Sequence, residues 1–580
     1  MHATATDAVF RRRVTLAAER DVEAFLETHD DDAPALAHRP AMARLLALVA
    51  VFTEPGSGFY RQEGLARAMG QCLDRLEALQ GPAGLFDGTN LSSPPDSAFT
   101  LNDVCLALGL IRSSDGQPEC VLSPVDGRLR GIVARAIDAM VAGGVHTPNH
   151  RWELCAALAR IHRLQPRQDI ADRIGQWLAE GIDQLPDGMY SERSPLYATA
   201  VTNPSLLAIA DNAGRPELLD HVRRNLAAFL PWFSADGTVE SVFSRRQDQW
   251  MNFHAAPFLH LYRRLAHQDG NAQFAAAATW LSALPLHEPA KLLALTRLDP
   301  WLAGARPDVP ASGTLPDVIP ALPTPLAPAE AALESCGVYR FREGASVATI
   351  FGGCDRLVPG VVSGLASNPT FLRFGHGAAL LTDVRLSRSF FDLGPFRSQQ
   401  TARNGNALVL SEELAANFYQ PLPAEKLRAD GLYDLQHEGR FSAGMDFGFR
   451  PATVHRLATE ITIQAEGGQA SVDISFGGTV TAFALELTFR PGGVLDGVEP
   501  SGAPGTFQLV SGTGTYRVGR DVIAFGPGLP ADPDAPAAYN PGESYRYLGG
   551  TNAAEGIKVY ITGRTSGTRA FTFQGYTLPA

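Results

Sequence analysis

A change in hydrophobic period divides this sequence into two parts that cannot share one architecture. From about residue 10 to 300 apolar residues recur every three or four positions, as in AMARLLALVAVF, which is typical of helices. Beyond residue 332 they fall in short runs between glycines, as in IKVYITGR, which is typical of antiparallel strands. Proline is too frequent between them for either element. We therefore predict a helical domain over 1–302, a Pro-rich linker over 303–332 and an antiparallel β-sandwich domain over 333–580.

The helical part consists of apolar segments separated by Pro- and Gly-rich punctuation, which indicates helical hairpins with short connections. Repeated helix pairs of this kind either close into an α/α toroid or extend as a solenoid. The residue pattern alone leaves both open. The length of 580 residues suits two large domains, because one hydrophobic core rarely serves so long a chain.

The charge balance limits the partners that this protein can have. Forty-nine basic and 61 acidic residues give a net charge of −12, which argues against binding to nucleic acid or to an anionic membrane. An acidic polymer would need a locally cationic site. No secretory signal is visible at the N-terminus, so we expect a cytoplasmic protein, or a periplasmic or secreted one from which a signal has been removed.

The six cysteines show no CxxC spacing and no Cys/His pairing. This pattern indicates neither a structural zinc site nor a disulfide scaffold, and buried thiols are the expected state. The residues concerned are Cys72, Cys105, Cys120, Cys155, Cys336 and Cys354.

Three helix starts share one arrangement: Thr147-Pro148-Asn149-His150, Ser194-Pro195-Leu196-Tyr197 and Asn203-Pro204-Ser205. In each, a Ser, Thr or Asn can cap a helix whose first residue is proline. Asn149, His150 and Tyr197 would then lie in first turns, near unsatisfied N–H groups that suit an anionic ligand. Capping combined with core packing explains any single one of these motifs equally well.

Two of these motifs carry a family resemblance. The stretch HTPNHRWELCAALA, followed 47 residues after His150 by the tyrosine of DGMYSERSPLY, resembles the heparinase II/III-like and alginate-lyase families. The resemblance implies a toroid followed by β-sheet domains, and metal-independent β-elimination on an acidic poly- or oligosaccharide that contains uronic acid. It implies no cofactor, and it leaves the oligomeric state open.

Carried over by position, Asn149 and His150 would neutralise the substrate carboxylate, and Tyr197 would act as catalytic acid or as both base and acid. Such groups are needed because a proton α to a carboxylate is removed only when the charge on that carboxylate is offset. His376, in FLRFGHGAALLTDV, stands where the family has a β-domain histidine. The family often has His where this chain has Ala198, and its zinc-associated HGH appears here as FGHG, so no metal is expected.

Further residues are predicted to bind the substrate. Arg193 lies beside Tyr197 in sequence, where a cation would lower the tyrosine pKa. The segment VESVFSRRQDQWMNFHAAPF concentrates arginine, which can grip carboxylates, and tryptophan, which can stack on a sugar. A salt-bridge network around a buried tryptophan, with a structural His254, is the alternative. The predicted set comprises Glu192, Arg193, Arg245, Arg246, Gln247, Trp250, His254 and Arg373.

Two other functions compete with the lyase. A glycoside hydrolase on the same toroid would need two carboxylates as acid and as base or nucleophile. The available carboxylates are Glu153, Asp187, Glu192, Glu240 and Asp248. A non-catalytic glycan-binding protein is the third possibility. The polar loop GLFDGTNLSSPPDSAF adds Asn90 and Asp96 as weak candidates, because turn formation alone explains its composition.

Overall fold

The computed structural model describes residues 5–88, 91–114, 119–304, 321–353, 368–438, 442–542 and 554–579. Its contacts divide the chain into two compact units. The first, which we call the helical unit, comprises Met1–Ser191, Pro195–Val239 and Phe253–Leu326. The second, the sheet unit, comprises Glu192–Ser194, Glu240–Asn252 and Ala327–Ala580. Two short segments inside the helical part of the sequence thus belong to the sheet unit.

The helical unit is built from helices that follow the predicted periodicity. Helix α3 is buried along almost its whole length, as expected for a helix that is apolar on all sides. The helices are α1 Ala5–Leu26, α2 His29–Asp32, α3 His38–Thr53, α4 Ala66–Leu79, α5 Pro94–Arg112, α6 Glu119–Ala142, α7 Pro148–Leu164, α8 Gln168–Leu178, α9 Pro195–Tyr197, α10 Asn203–Ala213, α11 Leu218–Phe229, α12 Leu259–Asp269, α13 Ala272–Leu281, α14 Pro289–Leu298 and α15 Pro300–Ala303.

These helices form two layers that close on themselves. In one layer α3, α5, α7 and α10 pack side by side, and α4, α6, α8 and α11 each pack against one of them from outside. Helix α14 packs against α1, α3 and α5, and α15 joins α14 to α12. An ion pair between Arg263 of α12 and Asp7 of α1 ties the last helices to the first. The predicted α/α toroid is therefore confirmed, and the solenoid is not found.

The sheet unit carries most of the strands, and the helical unit carries two short pairs. The strands are β1 Asp87–Gly88, β2 Leu91–Ser92, β3 Thr238–Val239, β4 Phe253–His254, β5 Glu330–Leu333, β6 Val338–Glu343, β7 Ser346–Phe351, β8 Leu372–His376, β9 Ala379–Arg388, β10 Gln400–Asn404, β11 Ala407–Tyr419, β12 Leu435–His437, β13 Ser442–Gly444, β14 Ala452–Glu466, β15 Gln469–Gly478, β16 Ala482–Phe489, β17 Val494–Asp496, β18 Glu499–Pro500, β19 Thr506–Gln508, β20 Gly514–Val518, β21 Asp521–Gly526, β22 Ile557–Arg564 and β23 Gly567–Thr577.

Two large sheets of the sheet unit enclose one core. Their strand orders are β10-β11-β14-β15-β23-β21-β20-β17 and β18-β19-β22-β16-β9-β8-β7-β6-β5. Every pairing is antiparallel except that of β19 with β22. Alternate residues of both sheets, such as Leu372, Leu485, Ile461 and Phe571, meet in one hydrophobic cluster. The predicted β-sandwich is confirmed.

A glycine pair sets the register of the longest predicted hairpin. Strands β14 and β15 are joined by Gly467 and Gly468, whose φ values of 63° and 69° form a two-residue turn that only glycine adopts readily. Strands β8 and β9, which the sequence pattern did not single out, are interrupted by polar residues that the structure buries.

Several further expectations can be compared with the structure. Cys72, Cys105, Cys155 and Cys336 are buried free thiols, as predicted, whereas the side chains of Cys120 and Cys354 lie outside the described residues. Burial raises the thiol pKa of the first three to about 12. Most of the predicted linker, 305–320, also lies outside the described residues. No described helix combines the length and the apolarity that crossing a membrane requires.

Candidate active site

Asn149 lies in the first turn of α7, as predicted, and is 2% exposed. Its side-chain oxygen Oδ1 accepts a hydrogen bond of 2.7 Å from the Thr147 hydroxyl. Its Nδ2 group is buried and has no hydrogen-bond partner among the described residues. A buried donor without a partner costs free energy, so such a group in a native protein calls for an explanation. The first turn of α7 thus presents an amide donor beside the positive end of a helix dipole.

The expected capping by Thr147 is wrong in detail. Thr147 is the N-cap residue of α7, with extended φ and ψ of −139° and 152°, and Pro148 follows at the first helical position. Its side chain accepts no backbone hydrogen bond, and its hydroxyl donates to the Asn149 side chain.

His150 follows on the same turn and is half-buried. Its ring meets the exposed His146 edge to face, with 4.8 Å between the centroids, and lies 6.3 Å from the ring of Phe99. Phe99 in turn carries the guanidinium of Arg39 at 3.9 Å from its ring centroid. Imidazole, aromatic and guanidinium groups therefore adjoin the Asn149 turn.

Tyr197 ends a single helical turn instead of beginning a long helix. Helix α9 runs into a π-helical turn over Ala198–Thr202, which runs into α10, so the predicted Ser-Pro and Asn-Pro helix starts belong to one irregular helix. Pro204 supplies the reason, because a proline inside a helix lacks the N–H and its ring clashes with the preceding turn. π-Helical turns occur frequently at functional sites. This turn packs against α7, the helix that begins beside Asn149.

Asp183 fixes the segment before Tyr197 to the start of α7. Its Oδ1 accepts hydrogen bonds from Arg151 at 3.1 Å and from the Trp152 indole at 3.2 Å, both in the first turns of α7. Its Oδ2 accepts one from Ser191, six residues before Tyr197. Asp183 thus couples the chain that carries Asn149 to the chain that leads to Tyr197.

A second coupling lies one turn further along α7, at the buried Glu153. Its carboxylate accepts hydrogen bonds from Asn102 of α5 at 2.7 Å and from Ser205 of α10 at 2.9 Å. Burial raises the Glu153 pKa, although Lys291 and these two donors oppose the shift. Glu153 therefore links α5, α7 and α10, and its carboxylate is hydrogen-bonded within the helical unit.

In the sheet unit, Asp248 organises the segments 192–194 and 240–252. It is fully buried and accepts hydrogen bonds from Ser194 at 2.7 Å and from Ser244. The backbone N–H of Arg245 donates to the Glu192 carbonyl at 3.0 Å. Arg246 lies 3.5 Å from the Glu192 carboxylate. The structure thus brings together Glu192, Arg245 and Arg246, three of the predicted substrate-binding residues.

Glu240 holds the same segment on the nine-stranded sheet. Its carboxylate accepts hydrogen bonds from Arg340 at 2.8 Å, from Arg373, and from the backbone N–H groups of Ser241 and Val242. Burial would raise the Glu240 pKa, but the two arginines and the two amides outweigh it and lower this pKa to about 2. Arg373 also donates to the Gln249 carbonyl at 3.1 Å. Its predicted role towards a substrate stays a prediction.

Arg193 has a strained backbone and an occupied guanidinium. Its φ of 53° is unusual for a residue that is not glycine. The side chain is buried and donates to the carbonyls of Ser335 at 2.8 Å and Gly353 at 3.2 Å. These bonds anchor the segment 192–194 to the sheet unit. The predicted role of Arg193 towards a substrate stays a prediction.

His376 ends β8, and both ring nitrogens have partners. Nδ1 lies 2.8 Å from the Ser346 hydroxyl and Nε2 lies 2.9 Å from the Thr577 hydroxyl, which in turn donates to Asp521. Gly575 passes so close that a Cβ there would come within 2.6 Å of the imidazole. A general-base role for His376 would require one of these bonds to break.

Two of the remaining predicted substrate-binding residues have exposed side chains. Gln247 is exposed at the start of a 3-10 turn, and His254 is exposed on β4, where its backbone pairs with Thr238. The Trp250 side chain and Asn90 lie outside the described residues. Among the residues that the structure describes, no group of three or more His, Cys, Asp or Glu is arranged to hold a metal ion.

Sequence reasoning missed Asp183 and Arg39. Asp183 occurs in IDQLPDGMYSE, where its spacing to α7 carries no signal. Arg39 stands 60 residues before Phe99, and no local pattern joins them. Both act through contacts that are distant in sequence.

Comparison with known proteins gives likenesses of fold. No family model matches the sequence, and no curated protein matches it. A heparan sulfate lyase from Pedobacter heparinus is 11% identical, with a TM-score of 0.44 over 93% of this chain and 76% of that chain. A heparinase III is 11% identical, with a TM-score of 0.49 over 92% and 76%. A chondroitin lyase that is a baculovirus envelope protein is 8% identical, with a TM-score of 0.37 over 92% and 76%. A shared fold does not determine the reaction, which has to be argued from this chain's own residues.

Proposed function

We propose that this protein is a polysaccharide lyase that cleaves a uronic-acid-containing glycan by β-elimination. In this proposal Asn149 and His150 neutralise the substrate carboxylate, and Tyr197 exchanges protons with the sugar. The observation that carries it is the buried Nδ2 group of Asn149, which has no partner among the described residues and lies at the start of a long helix.

The chemistry of elimination explains why such a donor is useful. Removing the C5 proton places negative charge on the neighbouring carboxylate group, and a preorganised hydrogen-bond donor stabilises that charge most strongly in the transition state. The Thr147 hydroxyl donates to the oxygen of the Asn149 amide, and the nitrogen has no partner among the described residues. In this proposal the nitrogen donates to the substrate. The N-terminus of α7 adds a favourable dipole for an anion.

Tyr197 is the residue to which we assign proton transfer. It is half-buried, which leaves part of the phenol accessible, and the π-helical turn that follows it packs against α7. As a tyrosinate it would accept the C5 proton, and the resulting phenol would donate that proton to O4 as the C4–O4 bond breaks, so that a single group serves as base and acid. The bonds of Asp183 to Arg151, Trp152 and Ser191 support this arrangement by fixing both chain segments.

Three of the five carboxylates named for a glycoside hydrolase are less suited to its reaction. A hydrolase needs one carboxyl group that stays protonated as an acid. The Glu240 pKa is about 2, which favours a permanent anion, and Asp248 is occupied by two serine hydroxyls. Glu153, whose pKa is raised, bridges helices in the interior of the helical unit. These observations favour the lyase.

The test is an ultraviolet assay, because a lyase creates a conjugated C4=C5 double bond and a hydrolase does not. Wild-type protein should release absorbing product from at least one of alginate, glucuronan, heparan, chondroitin and rhamnose-glucuronate glycans. Tyr197→Phe should lower turnover about 10²–10⁴-fold, the usual contribution of acid–base catalysis. Tyr60→Phe, at a half-buried tyrosine elsewhere in the helical unit, is the control and should keep wild-type turnover.

Two results would contradict the proposal. One is a saturated product from a glycan that is cleaved. The other is a Tyr197→Phe variant, folded by its melting temperature, that retains more than about a tenth of the wild-type rate.

A further inference from the structure

Arg39 is an exposed cation held in a fixed orientation on the helical unit. Its side chain is 42% exposed, and the guanidinium lies over the Phe99 ring at 3.9 Å from the centroid. Its Nη2 donates to Asp96, whose side chain is only 2% exposed. An aromatic face and a buried carboxylate therefore position this group from two sides.

This arginine adjoins the turn that carries Asn149. The Phe99 ring beneath it lies 6.3 Å from the His150 ring, and His146 packs on the other edge of His150 at 4.8 Å. We call Arg39, Phe99, His146 and His150 the Arg39 patch. It is contiguous with Asn149 along the chain, so a ligand bound at Asn149 would have neighbouring units within reach of the patch.

Most of the hydrogen-bonding capacity of Arg39 is unused. A guanidinium has five N–H donors, and among the described residues Arg39 makes one hydrogen bond, to Asp96. Burying Asp96 costs free energy, whereas an ion pair between two exposed side chains contributes little to stability. The pair Arg67–Asp30 shows the ordinary surface arrangement, with both side chains more than half exposed.

The charged groups that act on His38, which adjoins Asp96, are the carboxylates of Asp96 and Asp87 and the guanidinium of Arg39. Asp96 lies 3.6 Å from Nε2 of His38, but burial lowers the His38 pKa, which keeps that imidazole neutral at physiological pH. An incoming anion would therefore share the guanidinium with Asp96, and a planar guanidinium can bind two oxyanions along different edges.

We propose that the Arg39 patch is a substrate subsite that binds a second acidic group of the glycan, a carboxylate or a sulfate ester, on a sugar next to the one held by Asn149. The inference rests on the proposed function, because it takes the glycan chain to pass Asn149. It adds that the substrate carries acidic groups on neighbouring sugars, and that Arg39 contributes to affinity and not to the chemical step.

The experiment measures binding, so that it does not depend on turnover. Calorimetric titrations use Tyr197→Phe protein, alone and combined with Arg39→Gln or Arg39→Lys. The probes are oligoalginate or oligoglucuronan, which are unsulfated, and a heparan sulfate oligosaccharide. Arg67→Gln is the matched control, because it removes an exposed arginine that pairs with an aspartate on the same unit.

Arg39→Gln should weaken binding about tenfold, the loss expected for one charge-assisted hydrogen bond, and Arg39→Lys should lie between it and the parent. A loss with both kinds of probe identifies a carboxylate as the group bound, and a loss confined to heparan sulfate identifies a sulfate. When Tyr197 is intact, Arg39→Gln should raise KM about tenfold and leave kcat within about twofold, as expected when a residue binds the ground state and the transition state equally.

The subsite is wrong if Arg39→Gln weakens binding no more than Arg67→Gln, or if no probe binds. Failure of the proposed function has a different signature. In that case a probe binds, and loses affinity with Arg39→Gln, while the wild-type protein forms no unsaturated product from it.

Discussion

The start of α7 in the helical unit and the segment 240–252 in the sheet unit are both rich in polar side chains, but they use them differently. At the start of α7 a buried amide donor of Asn149 has no partner among the described residues. In the segment 240–252, Glu240 and Asp248 are surrounded by arginines, hydroxyls and backbone amides. The first arrangement leaves a buried donor without a partner among the described residues, whereas the second stabilises a loop on a sheet.

A cluster of arginines is a weak sign of a binding site when its members form hydrogen bonds within their own unit. Arg193 and Arg373, both predicted to bind substrate, donate hydrogen bonds to carbonyls or carboxylates of their own unit. Burial of charged groups requires such partners. An unpaired buried donor, in contrast, costs stability and is retained where it serves another purpose.

We expect the largest effect on turnover from Asn149→Asp, which tests whether the Asn149 amide acts on the substrate. A carboxylate still accepts the Thr147 hydrogen bond and is tolerated in a first helical turn, but it cannot donate to the substrate carboxylate and repels it. We expect kcat to fall about 10²–10³-fold, as when an oxyanion-stabilising donor is removed. Steady-state kinetics with the ultraviolet assay measure it.

Asn271→Asp is the control for that substitution. Asn271 caps α13 by accepting from the N–H groups of Gln273 and Phe274, and aspartate caps equally well. Its kinetics should match the wild type. An Asn149→Asp variant with wild-type kcat would show that the amide does not meet the reacting carboxylate.

The pH dependence of the free energy of unfolding tests the structural role of Glu240. Its folded pKa of about 2 lies below its ordinary value, so its stabilisation is fully present above about pH 4.5 and is lost as pH falls through about 2. This difference corresponds to a contribution on the order of 3 kcal/mol. The stability gap between wild type and Glu240→Gln should therefore narrow as pH falls from 5 to 2.

Chemical unfolding of the full chain at several pH values measures that gap. Glu413→Gln is the control, because Glu413 pairs with Arg456 on the surface, where both side chains are more than half exposed. Its effect should be small at every pH. A gap for Glu240→Gln that is independent of pH would refute the assignment of an ionised, charge-paired Glu240.

His376→Ala should have the smallest effect on turnover. Removing the imidazole leaves the Ser346 and Thr577 hydroxyls without that partner, so we expect a loss of about 1–3 kcal/mol in stability. The value of kcat should stay within about threefold, a barrier change below about 0.7 kcal/mol. A loss of kcat by orders of magnitude at unchanged stability would instead support the catalytic role that the family resemblance implies.

The sequence predicted the site unevenly, for reasons that particular residues illustrate. Asn149 was placed in the first turn of α7 because Thr-Pro marks a helix start locally. Tyr197 likewise lies in the first turn of a helix that Pro195 begins. The separate helix start expected at Asn203-Pro204 was wrong, because the two expected helices form one irregular helix with a π-helical turn. The capping roles of Thr147 and Asn203 failed too, since their side chains bond to Asn149 and to Tyr190 and Asn225 instead.

By itself the sequence determined the two architectures, since hydrophobic period is a local property that decides whether a segment buries one face as a helix or as a strand. Only the tertiary structure decided which polar side chains have hydrogen-bond partners within the protein. Glu240 meets Arg340 one hundred residues away, and Asp183 meets Trp152 across a helical hairpin. Hydrogen bonds depend on distance and direction in space, and spacing along the chain does not encode these. Only the structure shows that the buried Nδ2 group of Asn149 lacks a partner among the described residues.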